Sequence, residues 1–348
     1  MRTPGGAQGP ADLGRAAETK LLRRALVGGR GRLPDGGIWS QYWRYDRIAS
    51  CFDDAGRANY DDSIAGGWRA FFADLPKRAC ILDLCTGNGA AALIAAEDGR
   101  AARIVAVDQA DIDPPAFVSR HAELYAAIDF RGRTDVEALP FGDGGFDAVV
   151  SQYGVEYSDL AKSLPEAVRM LAPGGRIRLV VHAAEGVVAQ NAKAVIADAD
   201  LLLKEIDLPR IAARCFEAVL AVERDGGDAA LAGASFAAFQ EALARTARHV
   251  PRAADRTMFK NSGAVLLDTF QRRGHFDVAQ LLAKAKQVRD EIAAHRGRLA
   301  ALVDSALDAK RAAALAERLS ALGGIAASRP LQGPQGLIGH VVAARFPA

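Results

Sequence analysis

The chain has 348 residues and half of them are hydrophobic, so it is long enough for more than one domain and for a large buried core. Its formal net charge of +2 gives no electrostatic reason to expect nucleic acid or an anionic membrane as a partner. No apolar run reaches the roughly 18 residues of a membrane helix, and the cysteines lack metal-ligand spacing, so we expect a cytoplasmic protein without a metal site.

The N-terminal part divides into two segments. The first 37 residues are rich in Gly, Arg and Ala and lack apolar periodicity, which predicts a flexible tail. Residues 38–78 are rich in aromatic side chains, and the spacing of Trp68, Phe71 and Leu75 is helical. We predict an N-terminal helical cap on the next domain, and a lid over a ligand is compatible with that interpretation.

From residue 79 onward, short apolar strands alternate with helices. Continuous apolar strands separated by helices imply a parallel sheet covered on both faces, so the predicted fold class is α/β. The helices are expected at residues 90–98 and 164–171. The strands are expected at residues 80–84, 103–107, 128–130, 146–151 and 176–182.

After His182 the pattern is helical for about 140 residues. Gly323 and Gly324 stop the last helix, and residues 325–328 and 337–346 then read as two more strands. A sheet that resumes after such a gap predicts a large helical insertion, at residues 208–322, before the last two strands.

Gly87-Asn88-Gly89 lies where the first strand turns into a helix. Glycine lets the backbone approach a ligand closely, and the helix N-terminus attracts negative charge. The pattern also satisfies the dinucleotide-binding fingerprint, with Asp108 about 20 residues further on. The loop alone therefore leaves a dinucleotide site, or a tight turn without a ligand, as open interpretations.

Four further observations favour a different cofactor. Segments of the chain resemble, in the right order, the motifs of class I S-adenosyl-L-methionine (SAM) dependent methyltransferases, and a dehydrogenase has no reason to carry the last two. The resemblance covers residues 79–183 and implies a Rossmann-like sheet, SAM as cofactor and methyl transfer as activity. The matching segments are residues 81–89, 105–108, 135–141 with 146–149, and 171–176.

The resemblance also locates the cofactor residues. It implies that the Gly87–Gly89 carbonyls, supported by Asp83, accept from the SAM ammonium, and that Asp108 accepts from the ribose diol. The side chain that covers the adenine face is left open, because the segment after Gln109 lacks the usual apolar residue. The full predicted cofactor set is Asp83, Thr86, Gly87, Asn88, Gly89, Asp108, Gln109, Asp135 at the adenine amino group, Val136 at the ring nitrogen, and Ser151 and Gln152 beside the sulfonium.

Methyl transfer from a sulfonium needs alignment and desolvation, and it needs a general base only when the nucleophile must lose a proton. His182 ends the fifth strand and Glu156 follows the fourth, so both are candidate catalytic residues at the carboxyl ends of the strands. His182 as a core histidine and Glu156 as a helix cap remain alternatives. Tyr153 and Tyr157 are candidate substrate-binding residues.

The acceptor is predicted to be a small organic molecule. Ser151-Gln152-Tyr153-Gly154 stands where base-methylating enzymes carry an Asn/Asp-Pro-Pro-aromatic tetrapeptide, and the basic stretch near Arg23 is too small for a duplex footprint. We expect the helical insertion to form a lid over the acceptor, with a homodimer interface on the stripe from Val278 to Val303 as the alternative. A non-catalytic SAM-binding assembly or regulatory protein, or a transferase of another SAM-derived group, are the competing functions.

Overall fold

The computed structural model describes residues 37–50 and 58–348. Cys51, Phe52 and nearly all of the predicted tail at residues 1–37 lie outside the described residues. The chain divides into two compact units. We call residues up to Gln190 together with Ala301–Ala348 the sheet unit, and Asn191–Ala300 the helical unit.

In its described part, the sheet unit holds a seven-stranded sheet of order β3-β2-β1-β4-β5-β7-β6. Strands β1 to β5 are parallel, whereas β7 is antiparallel to both β5 and β6. This mixed Rossmann-like sheet confirms the predicted fold class. The strands are β1 Cys80–Leu84, β2 Arg103–Val107, β3 Ile128–Arg131, β4 Phe146–Gln152, β5 Leu171–Val181, β6 Ile325–Gly333 and β7 Gly336–Arg345.

Helices precede, separate and follow these strands. Those of the sheet unit are α1 Ile38–Trp43, α2 Asp62–Ala73, α3 Ala90–Asp98, α4 Pro114–Phe117, α5 Ala122–Ala126, α6 Leu160–Arg169 and α12 Ala309–Ala321. Those at or within the helical unit are α7 Val187–Asp200, α8 Leu208–Asp225, α9 Ala229–His249, α10 Arg256–Gln271 and α11 Val278–Ser305. In the part of the chain that the structure describes, we find no helix with the length and apolarity needed to cross a membrane.

The two faces of the sheet bury separate cores, because successive strand residues point to opposite sides. On one face Ile81 and Val150 pack with Trp68 of α2 and Leu93 of α3. On the other face the packing residues include Leu82, Leu84, Leu164 of α6 and Leu315 of α12. Both faces of the sheet are thus covered, which keeps its carboxyl edge as the place for polar chemistry.

The last two strands differ from the sequence expectation. The first of them was expected at residues 325–328, but β6 continues through Pro330, which pairs with His340 of β7. The order of the sheet places β6 at an edge. Proline is tolerated there because an edge strand leaves its outward backbone groups unpaired.

The helical unit has a hydrophobic core of its own, which includes Phe216, Phe239, Phe259 and Leu281. Its bounds differ from the insertion predicted at residues 208–322, and the main reason is α12. Leu315, Ala316 and Leu319 of that helix pack in the core of the sheet. The helix that precedes the final strand pair therefore belongs to the sheet unit, which an apolar stripe alone could not indicate.

Candidate functional site

The glycine loop after β1 has a backbone that only certain residues adopt. Cys85, Gly87 and Gly89 have φ values of 55°, 55° and 83°, in the left-handed region. A Cβ on Gly87 would overlap the indole of Trp43, and a Cβ on Gly89 would lie 2.7 Å from the Phe130 ring. Both the conformation and the close approach thus require glycine at these two positions.

Asp83 lies at the buried end of β1, and its side chain is only partly satisfied. Its Oδ2 accepts a 2.6 Å hydrogen bond from the Thr86 hydroxyl, whereas its Oδ1 is buried without a hydrogen-bond partner. Burial raises the pKa of this carboxyl to about 7, and the Thr86 hydrogen bond offsets part of that effect. Asp83 is therefore an acceptor held ready for a cationic or hydrogen-bond-donating group.

Asp108 follows β2 and faces the glycine loop. Its two carboxylate oxygens accept 2.8 Å hydrogen bonds from the backbone amides of Gly87 and Ala110. Burial raises the pKa of Asp108, and these two hydrogen bonds lower it in part. The carboxylate thus also holds the loop in shape, and Gln109 beside it is exposed.

Asn88 is fully buried and fastens the N-terminal segment over the loop. Its Nδ2 donates to the carbonyls of Trp43 and Arg47 at 3.0 and 2.8 Å, while its Oδ1 has no partner. Sequence reasoning assigned Asn88 to the cofactor and missed the contact of Trp43 with Gly87. The aromatic richness of residues 38–78 was the available signal, but it did not indicate which ring lies on the loop.

The predicted adenine-side residues follow β3. The Thr134 amide donates to the Asp108 carbonyl at 2.9 Å, which brings the next two residues beside the ribose candidate. Asp135 is exposed and accepts from the Glu137 amide at 2.9 Å, whereas Val136 is buried. An exposed carboxylate beside a buried apolar residue fits recognition of an amino group on an aromatic ring.

The end of β4 contains one structural and one partly unsatisfied side chain. The Ser151 hydroxyl donates to the Leu84 carbonyl at 2.9 Å and accepts from the Val155 amide at 3.1 Å, so it joins the ends of β4 and β1. The Gln152 Oε1 accepts from Trp68 Nε1 at 2.5 Å. The Gln152 Nε2 is buried and has no partner.

The four predicted catalytic and substrate-binding residues come together at the end of β5. His182 is buried, and Glu156 Oε1 lies 2.8 Å from its Nδ1 and accepts from its backbone amide at 2.9 Å. The Tyr153 ring stacks on the His182 ring with centroids 4.2 Å apart, and Tyr157 meets the same ring edge-on at 6.2 Å. The Tyr153 hydroxyl donates to the Ile338 carbonyl at 3.0 Å, which fixes the stack.

Two tyrosines of the N-terminal segment, which could form a lid over the ligand, have different surroundings. Tyr45 is 53% exposed, whereas Tyr60 is buried and meets the Tyr153 ring edge-on at 6.2 Å. Trp39 meets Tyr157 in the same way at 5.5 Å. The N-terminal segment thus contacts both the glycine loop and the histidine cluster.

The residues at this edge fit SAM. Asp83 Oδ1, Asn88 Oδ1, Gln152 Nε2 and Glu156 Oε2 are buried without partners, although buried polar atoms in folded proteins are nearly always hydrogen-bonded. SAM carries an ammonium, a carboxylate and a ribose diol that can satisfy acceptors and donors of these kinds. Among residues 37–50 and 58–348 there is no cluster of side chains that could hold a metal ion.

Comparison with known proteins agrees with this geometry. Residues 81–175 match the sequence profile of a methyltransferase domain family. Over 118 residues the chain is 42% identical to the demethylmenaquinone methyltransferase of Thermus thermophilus, and the match covers 32% of this chain and 51% of that relative. The chain carries a class I SAM-dependent methyltransferase domain. It spans about half the length of this curated relative, so the match concerns the methyltransferase domain.

Two solved structures align with this chain, one over about a third of its length and the other over most of it. A SAM-dependent methyltransferase from Mesorhizobium loti is 25% identical with a TM-score of 0.30, covering 35% of this chain and 55% of that one. The [4+2]-cyclase SpnF is 16% identical with a TM-score of 0.38, and the match covers 87% of each chain.

Proposed function

We propose that this protein transfers the methyl group of SAM to a small organic acceptor and releases S-adenosylhomocysteine. The observation that carries the proposal is the buried His182–Glu156 pair, which lies at the same edge of the sheet as the glycine loop. SAM, when bound, supplies a methyl group on a sulfonium that is already a good leaving group. The chain's own residues would bind SAM, orient the reacting groups and take up the proton of the acceptor.

The cofactor would be held by residues of β1, the loop after β2 and the loop before β4. Asp108 would accept from the ribose hydroxyls, and Asp83 with the loop carbonyls would accept from the ammonium. Asp135 and Val136 would face the adenine. Ser151 keeps the ends of β4 and β1 together, which places Gln152 at the reacting end.

His182 acts as the general base. Glu156 Oε1 accepts from the backbone amide of His182 and faces its Nδ1, so this carboxylate favours the tautomer that carries its proton on Nδ1. The Nε2 lone pair is then the site that takes a proton from the acceptor. Tyr153 and Tyr157 hold the ring in place. A base at this position favours an acceptor whose hydroxyl or amine must be deprotonated during transfer.

The helical unit is proposed to recognise the acceptor. A minimal sheet of this kind needs one helix before its final strand pair, and α12 fills that position by packing on the sheet. The helical unit is additional, and long additions to compact domains usually have a function. Its own hydrophobic core supports a separate role rather than a contribution to SAM binding.

Acceptor-dependent formation of S-adenosylhomocysteine tests the proposal. The protein is incubated with SAM and pooled small metabolites, and mass spectrometry identifies a compound that gains one methyl mass. We expect product only when both SAM and the pool are present. SAM binding without methylation of any pool component would instead favour the non-catalytic assembly or regulatory function.

Replacement of residues 191–300 by a short Gly-Ser linker tests the helical unit. We expect the variant to keep SAM binding, measured by calorimetry, and to lose transfer to the native acceptor. Unchanged acceptor kinetics in a soluble variant would show that the helical unit serves something else, such as dimerisation.

A further inference from the structure

The face of the sheet under α2 contains a buried arginine that the cofactor site does not use. Arg178 lies in β5 between Val150 of β4 and Ala343 of β7. The residue is 7% exposed. Its guanidinium carbon lies 5.0 Å above the Trp68 ring and 5.9 Å from the Phe71 ring.

Helix α2 leaves room for this guanidinium. A Cβ on Gly67 would lie 2.7 Å from Arg178 Nη2, whereas a Cβ on the neighbouring Gly66 would meet no atom within 4 Å. Each glycine inside a helix costs about 1 kcal/mol relative to alanine. Gly67 therefore leaves the space that the guanidinium occupies, and Gly66 beside it leaves further open space along α2.

Arg178 has no counter-charge in this space. Among the residues that the structure describes, it forms no ion pair and no side-chain hydrogen bond, and its Nε is buried without a partner. Asp74 at the end of α2 is engaged by Arg176 and by Arg345, the latter at 3.0 Å. Burial, together with the positive charge of Arg329, lowers the pKa of Arg178 to about 10.

A buried and unpaired guanidinium is costly unless something neutralises it. Its planar set of donors matches the oxygens of a phosphate or carboxylate, and stacking on Trp68 fixes its orientation. Asp74 is already shared by Arg176 and Arg345. Arg329 pairs with Val341 on the same face of the sheet and adds to the positive charge at Arg178, which favours the ligand with the higher negative charge. We propose that Arg178 and Arg329 form a binding site for a phosphate-type oxyanion.

The proposed site has a physical connection with the cofactor edge. Trp68, on which Arg178 stacks, donates from its indole nitrogen to Gln152 at the end of β4. An anion that fixes the guanidinium also fixes this indole. The indole N–H of Trp68 is therefore a spectroscopic reporter of binding, and it reports without SAM, an acceptor or turnover.

Inorganic phosphate is the probe, titrated against chloride at constant ionic strength. Tryptophan indole N–H resonances of the full chain are followed by NMR, and Trp68→Phe assigns the reporter. We expect a saturable shift of the Trp68 resonance in the wild type and its loss in Arg178→Met. Arg329→Gln, at an exposed position, should weaken phosphate binding about tenfold or more, the effect of one lost charge-assisted hydrogen bond.

Arg345→Gln is the matched control, because Arg345 lies on the same face and is paired with Asp74. It should keep the phosphate response. Three results would overturn the proposal: a wild-type response no larger than that to chloride, an unchanged response in Arg329→Gln, or a saturable response to acetate but not to phosphate. The first would mean that Arg178 serves only to pack on Trp68, the second that Arg329 is not part of the site, and the third that the ligand is a carboxylate.

Discussion

The helical unit and the carboxyl edge of the sheet differ in whether their buried polar side-chain atoms have hydrogen-bond partners. Within residues 191–300, all of which the structure describes, no buried side-chain nitrogen or oxygen lacks a hydrogen-bond partner. Asp198, for example, accepts from the amides of Ala254 and Asp255 at 2.7 and 3.1 Å, and lies 3.1 Å from His249 Nε2. At the edge of the sheet, Asp83 and Glu156 each leave one oxygen unpaired.

This difference separates polar groups that serve folding from polar groups that await a ligand. An unpaired buried group lowers stability by about 1–3 kcal/mol, so several at one edge are retained only where a ligand satisfies them. Substitutions in the helical unit should therefore change the free energy of unfolding. Substitutions at the sheet edge should change binding or turnover.

The largest expected effect compares two histidine–carboxylate pairs. His182→Ala should lower kcat by about 10²–10⁴-fold, the usual contribution of a general base, and leave SAM affinity nearly unchanged. His249→Ala, which breaks the matched pair with Asp198, should lower stability and leave kcat near the wild-type value. Steady-state kinetics and calorimetry measure both. Loss of stability with full specific activity in His182→Ala would make it a core histidine.

A core substitution in the helical unit is expected to lower stability without changing SAM binding. Phe259 is fully buried among Phe and Leu side chains, so Phe259→Ala should lower the free energy of unfolding by about 3–5 kcal/mol. Because this core is separate from the sheet cores, SAM affinity should stay unchanged. Leu231→Ala, at a side chain that is 58% exposed, is the control and should cost little. A parallel loss of SAM affinity in Phe259→Ala would contradict the separation.

Local sequence patterns predicted much of the sheet unit. The bounds of β1, β2 and α3 agree with the expectation, because β1 is followed by the turn at residues 85–89, β2 by Asp108 and α3 by Gly99. β5 begins five residues earlier than expected, since Pro173-Gly174-Gly175 reads as a turn. In the structure the Gly174 amide donates to the Pro347 carbonyl at 2.8 Å, and the Phe346 amide donates to the Gly175 carbonyl at 3.0 Å. Pairing with the distant C-terminal segment continues the strand.

At the candidate site, too, local sequence patterns predicted the nearby residues but not the long-range contacts. Motifs indicated Asp83, the glycine loop and Asp108 because these residues are close in sequence. The bond from Asn88 to Trp43 spans 45 residues, and that from Trp68 to Gln152 spans 84. Contacts at such separations follow from strand order and helix packing, and a single sequence does not encode them as a local pattern.

An intermediate effect is expected at the ribose. Asp108→Ala should weaken SAM binding by about 1.5–3 kcal/mol, the range for hydrogen bonds to a charged group. Asp111→Ala is the control, because Asp111 is ion-paired with Arg133 and Arg44 at the surface and such pairs contribute little. Calorimetric titration with SAM measures both. Wild-type affinity in Asp108→Ala would remove the ribose assignment, and NAD should not bind the wild type.

The smallest expected effect concerns the charge state of Asp83. Burial raises the pKa of this carboxyl to about 7 from an ordinary value of 3.8, so the ligand-free folded protein keeps a proton that the unfolded chain has released. The stability of the wild type should therefore fall relative to Asp83→Asn as pH rises toward about 7, and the difference should level off above it. Thermal unfolding at a series of pH values measures this trend.

Binding of SAM should show the reverse pH dependence. The ammonium of SAM favours the ionised carboxylate, so SAM binding should lower the pKa of Asp83. The affinity of the wild type for SAM should then rise about threefold to tenfold between pH 6 and pH 8. Asp83→Asn keeps the shape of the side chain but cannot ionise, so its affinity should lack this rise. Equal pH slopes in both proteins would place the ammonium away from Asp83 and assign this carboxylate to shaping the loop through Thr86.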